Sequence, residues 1–127
     1  MLMSLVGGPV LIVDDDAAVR ASLKFALELE GLDVRLYESA PQLLAEKALP
    51  PHGCIVVDYS MPGMSGLELI DALRLRHIGL PAILISGKVN DDLRRQAERH
   101  GFRQVLEKPL EDSQLLDGIR TALADAP

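Results

Sequence analysis

Four short apolar runs in this chain end in residues that could do chemistry together. Val10–Val13 is followed by Asp14, Asp15 and Asp16, Cys54–Val57 by Asp58, Ala82–Ile85 by Ser86, and Gln104–Leu106 by Glu107, Lys108 and Pro109. If the runs lie side by side, at least three carboxylates, one hydroxyl and one ammonium converge. Such a cluster is costly by itself, because two carboxylates about 4 Å apart repel by about 4 kcal/mol at an effective dielectric of about 20. A divalent cation removes that cost, and a donor set made only of oxygen selects Mg2+ over zinc.

The elements that must position these residues are legible in the hydrophobic pattern. Short β-rich apolar runs alternate with longer segments of helical period, the signature of βα units on a parallel sheet covered on both faces. A weaker run, Asp33–Tyr37, alternates Val34 and Leu36 with Arg35 and so belongs nearer an edge. Right-handed crossovers then place the first, third, fourth and fifth strands side by side, and ligands of such sheets gather at the carboxyl ends of the strands. Helices are expected over Ala17–Glu30, from Ser39 to about Ala48, over Gly66–Arg76, Asp91–His100 and Asp112–Leu123. Leu116, Ile119 and Leu123 are expected to form the inward stripe of the last. The fourth offers only Leu93 and Ala97 as apolar anchors, which makes it the least firmly held.

Composition narrows the function classes. The chain has 127 residues, 48% hydrophobic, enough for one domain that buries roughly 65 to 70% of its unfolded surface without disulfides or a structural metal. A formal net charge of −6 opposes binding to nucleic acid phosphates or anionic lipid. The single Cys54 lies in an apolar run and reads as a small buried thiol. No apolar run approaches the ~20 residues of a membrane span, so a cytoplasmic location is expected. Residues 1–127 read as one domain, with 1–8 expected to be partly disordered or vector-derived. His52, His77 and His100 show no ligand spacing and read as surface residues.

Taken in order, Val10-Leu11-Ile12-Val13-Asp14-Asp15-Asp16, Val57-Asp58 followed by Met61-Pro62-Gly63-Met64-Ser65-Gly66, Ile85-Ser86-Gly87 and Glu107-Lys108-Pro109 resemble the receiver domain of bacterial two-component response regulators, of the FixJ type. The resemblance spans nearly the whole chain. It implies a doubly wound α/β (βα)5 fold, flavodoxin-like or CheY-like, with a five-stranded parallel sheet in the order 2-1-3-4-5. It also implies that Asp58 is the phosphoacceptor for a sensor histidine kinase or phosphotransfer protein. On the same grounds Asp15 and Asp58 would bind Mg2+ directly, Asp14 through water, and Ser60 by its backbone carbonyl. Ser86, with Gly87 beside it, and Lys108 would contact the phosphoryl group, and the Lys108–Pro109 bond would be cis. Such a protein is a signalling phosphoacceptor that catalyses only its own phosphorylation and slow dephosphorylation. The chemistry agrees: a carboxylate is already ionised at neutral pH and needs no separate base to attack phosphorus. An ammonium and backbone N–H groups suit the equatorial oxygens of a moving phosphoryl group.

Some residues have plainer readings. Asp16, immediately before Ala17, suits a helix cap better than a ligand. Val105 stands where receivers usually carry an aromatic relay residue, so coupling to the output face must travel differently, chiefly through the loop from Ser86 to Asp92. That face is expected on the fourth helix, fifth strand and fifth helix, because residues 88–103 carry five basic side chains against Asp91, Asp92 and Glu98. An output domain beyond Pro127, a partner protein, or a homodimer formed on phosphorylation would use it. Two rival readings remain open on sequence alone. Leu11–Asp16 also fits a haloacid-dehalogenase-type phosphatase with Asp14 as nucleophile, but 127 residues leave little room for its cap, and Asp58 then has no role. A degenerate receiver that binds partners without being phosphorylated is the other.

Overall fold

The computed structural model describes residues 8–124, apart from the Asp112 side chain; the expectation for residues 1–7 lies outside them. Five strands, β1 (Val10–Val13), β2 (Val34–Tyr37), β3 (Cys54–Asp58), β4 (Ala82–Ser86) and β5 (Gln104–Glu107), form one sheet in the order β2-β1-β3-β4-β5. Every pairing is parallel. Five helices alternate with them: α1 (Ala17–Leu29), α2 (Ala40–Leu44), α3 (Gly66–Leu75), α4 (Asp91–Arg99) and α5 (Asp112–Ala124).

The two-residue period of the strands divides the core. Leu11, Val13, Ile55, Val57, Ala82 and Leu84 face α2, α3 and α4, while Val10, Ile12, Cys54, Val56, Ile83 and Ile85 face α1 and α5. Because β1, β3 and β4 are covered on both sides, their runs are continuously apolar, whereas the edge strand β2 leaves Arg35 exposed. Asp16 caps α1 as expected, and the start of α3 carries a cap that the sequence reading did not single out. Asp16 accepts from the Ala18 and Val19 amides, and Ser65 forms a reciprocal capping box with Glu68.

Two helical expectations are corrected. The second helix stops at Leu44 rather than about Ala48, and the Arg76 guanidinium satisfies carbonyls at and beyond that end, donating to Leu44 O (3.0 Å) and Glu46 O (3.2 Å). The Glu46 carboxylate is turned to the Tyr37 hydroxyl, 3.0 Å away. In α5 the buried stripe is Leu115, Ile119, Ala122 and Leu123, with Leu116 only partly covered. Both Leu115 and Leu116 fit a helical period, and the packing of α5 on β3 and β4 selects the first.

α4 is thinly anchored, as its composition predicts, with only Leu93 and Ala97 buried. Its C-terminal His100 is nevertheless tied to α3, the ring Nδ1 lying 2.7 Å from Asp71 Oδ1. Among the described residues no helix is long and apolar enough to cross a membrane.

Candidate functional site

The register brings the polar residues together. Val13 pairs with Val57, so the next residues, Asp14 and Asp58, stand level on adjacent strands, roughly 4.8 Å apart in the hydrogen-bonding direction. Asp14 is completely buried, Asp58 nearly so, and Asp15 is exposed. One carboxylate oxygen from each of the three lies within 4.8 Å of the others. From the far side of the sheet end, Lys108 Nζ donates to Asp14 Oδ2 at 3.0 Å and to Asp58 Oδ2 at 3.3 Å. The Lys108–Pro109 bond is cis.

Each carboxylate has further support from its own loop. The Asp16 amide donates to Asp14 Oδ1 (2.9 Å), and the Ser60 amide to Asp58 Oδ1 (3.3 Å). Arg20 donates to the Asp14 main-chain carbonyl at 2.7 Å, a contact that sequence reasoning missed. The only available signal was its place one turn into α1, from which a long side chain leans back toward the helix start. Glu107 was likewise treated only as part of a motif. In the structure its Oε1 accepts from the Val89 amide at 3.3 Å.

Ser86 is buried at the end of β4, but its hydroxyl is engaged with its own loop. It donates to Lys88 O (3.0 Å) and accepts from the Lys88 amide (3.3 Å). Gly87 follows it, exposed, at the start of that loop. Val105 is partly buried against the apolar cluster beneath α3 and α4.

Electrostatics at this site are dominated by burial and by the mutual influence of Asp14, Asp58 and Lys108. Burial raises the Asp58 carboxyl above its ordinary range and the neighbouring Asp14 charge raises it further, against the lowering influence of Lys108 and the Ser60 amide. Burial alone would lower the Lys108 ammonium, but the hydrogen bond and charge of Asp14, followed by those of Asp58, leave it above its usual value. Three carboxylates against one ammonium leave an excess of two negative charges at one spot, which is the complement of a divalent cation. The oxygen-only donors fit a hard ion such as Mg2+. Cys54, by contrast, is a buried thiol pushed up to about 12 by desolvation and stays inert.

The loop between β3 and α3 is closed tightly against the acceptor strand. A Cβ at Gly66 would stand 2.7 Å from Asp58 O and 2.9 Å from Leu84 Cδ1, and the Gly66 amide donates to Tyr59 O at 3.0 Å. Gly66→Ala is therefore expected to lower the stability to denaturant by about 1 to 3 kcal/mol, as overpacking against backbone usually does. A chemical denaturation curve superimposable on the unaltered protein would contradict that packing.

Comparison with known proteins follows this geometry closely. A family profile described as "Response regulator receiver domain" matches residues 10–120. The chain belongs to that family. This receiver domain is 41% identical over 115 residues to the transcriptional regulatory protein TdiR of Thauera aromatica, a match covering 91% of this chain and 51% of that one. It is 40% identical to the transcriptional regulatory protein FixJ of Azorhizobium caulinodans, over 91% of this chain and 54% of the relative. Among solved structures, the crystal structure of FixJ-N superimposes with a TM-score of 0.85 at 36% identity, covering 93% of this chain and 94% of that one. The receiver is thus of the FixJ type with a CheY-like fold, and it spans about half the length of the curated relatives it matches.

Proposed function

We propose that Asp58 accepts a phosphoryl group from the phosphohistidine of a sensor histidine kinase or of a phosphotransfer protein. A carboxylate oxygen of Asp58 attacks phosphorus, the bond from phosphorus to the imidazole nitrogen breaks, and the departing imidazole keeps the electron pair and takes up a proton. Asp14, Asp15 and Asp58, with the Ser60 carbonyl, are the residues that would hold Mg2+, which when bound neutralises phosphoryl oxygens. Lys108 stabilises charge from the opposite side, and Ser86, with the Gly87 amide, contacts the transferred group once the hydroxyl leaves Lys88. The observation that carries this reading is the single ammonium shared by two buried carboxylates at the carboxyl ends of β1 and β3. We place the protein in the cytoplasm, with its signal read from α4, β5 and α5 by an output domain, a partner protein or a second copy.

The test is incubation with Mg2+ and acetyl phosphate, with the modified residue mapped by mass spectrometry. One phosphoryl group on Asp58 is expected, lost with chelator and strongly reduced in Asp15→Asn, which removes a charged ligand. Label on Asp14 would mean a haloacid-dehalogenase-like nucleophile. A folded protein that takes no label would be a binding module only.

A further inference from the structure

The fifth strand makes a polar contact with the loop after β4 through Glu107, two residues past position 105, while Val89 of that loop and Val105 pack on the same apolar cluster. Successive strand residues alternate faces, so Val105 and Glu107 share one face of β5, and Val105 packs toward α3 and α4. Val105 has no polar atom to reach the loop, whereas Glu107 pairs in register with Ser86 and accepts from the Val89 amide at 3.3 Å. Val89 lies three residues past Ser86, in the loop whose Lys88 holds the Ser86 hydroxyl by two hydrogen bonds. The Lys108 amide donates to Ser86 O at 2.8 Å, so the strand ends are locked while the loop depends on side-chain ties.

We propose that Glu107 is the positioning residue of this switch, latching the loop of residues 87–90 in the conformation that keeps the Ser86 hydroxyl on Lys88 and away from Asp58. This rests on the reading that Ser86 meets a phosphoryl group on Asp58, and it adds what holds the resting state. Lys88 and Val89 are adjacent, so a loop rearrangement that carries Lys88 away from the Ser86 hydroxyl also draws Val89 from Glu107. The latch therefore opposes phosphorylation, and its loss favours the switched state.

The experiment compares the unaltered chain with Glu107→Ala and Glu107→Gln by amide hydrogen exchange, with and without Mg2+ and beryllofluoride as phosphoryl mimic. In the unphosphorylated Glu107→Ala protein, exchange at Val89 is expected to be about five- to tenfold faster, the effect of losing one exposed hydrogen bond of ordinary net strength, with core strands unchanged. Half-saturation by beryllofluoride is expected at about two- to fivefold lower concentration, since less of the binding energy goes into releasing the loop. Glu107→Gln keeps an acceptor oxygen, is expected to fall between, and decides the matter if the Ala variant does not fold. A tightened response to the mimic is something a merely structural residue would not give. Unchanged Val89 exchange and unchanged half-saturation would overturn the proposal. So would weaker mimic binding with faster exchange throughout the sheet. If the unaltered protein shows no beryllofluoride response at all, the Asp58 reading fails, while Val89 exchange still tests the latch.

Discussion

Asp58→Asn is expected to end phosphoryl incorporation and, in the same molecule, to stabilise the metal-free fold. The first effect follows from chemistry, since an amide oxygen is a poor nucleophile compared with an ionised carboxylate. The second follows from the pocket. Asp58 is buried beside Asp14, and both effects raise its carboxyl above the ordinary 3.8. A folded-state value above the unfolded one means that the native protein holds a proton that the unfolded chain has already released. The stability contributed by this group is fully present in acid below the unfolded value and is lost as pH rises through the folded value. At neutral pH the unaltered protein therefore carries the whole cost of a charged Asp58. Asn removes that charge, still accepts from the Ser60 amide, and leaves Lys108 paired with Asp14 at 3.0 Å. A gain of about 1 kcal/mol at pH 7 is expected in chelator, the scale at which relief of a functional site usually shows. Denaturant midpoints measured from neutral pH into acid should converge as Asp58 takes up its proton. A variant less stable than the unaltered protein at pH 7 would contradict this account.

Lys108→Met is expected to slow phosphoryl transfer to Asp58 by about 100- to 1000-fold, the usual loss when one preorganised group facing transition-state charge is removed. Met keeps most of the apolar stem and removes the charge. The same substitution should destabilise the metal-free protein, opposite in sign to Asp58→Asn. Asp14 has no exposed surface, and without Lys108 its Oδ2 loses the ammonium, leaving the Asp16 amide on Oδ1. Removing one partner of a buried ion pair costs about 3 kcal/mol. Because Lys108 titrates above 10.5 in the fold, its contribution is present throughout the neutral range and is lost only as pH rises past that folded value. Mg2+ should recover part of the lost stability by balancing the uncompensated carboxylates, read as a larger metal-induced rise in melting temperature for Lys108→Met than for the unaltered chain. Equal transfer rates in the two proteins would show that the ammonium does not face the reacting group.

Local pattern in the amino-acid sequence determined much of this protein. The continuously apolar runs Val10–Val13, Cys54–Val57 and Ala82–Ile85 specify buried parallel strands because both faces of each are covered. Once those strands are ordered, the residues that terminate them must meet, so Asp14, Asp58, Ser86 and Lys108 could be picked out by position alone. The Asp16 cap was readable for the same reason: its partners are two or three residues away. Other features depended on distances in sequence that no local period encodes. Leu115 and Leu116 are equivalent to a helical repeat, and only contact with the sheet chose between them. The carbonyls at and just beyond the end of α2 are taken by Arg76, some thirty residues on, and the His100 tie to Asp71 spans 29. Lys108 is 94 residues from Asp14 and 50 from Asp58. Which oxygen the ammonium holds, that Ser86 rests on Lys88, and that Glu107 reaches the Val89 amide were decided by the tertiary structure, because a hydrogen bond is settled at about 3 Å and the sequence pattern places side chains only to a face and a strand end.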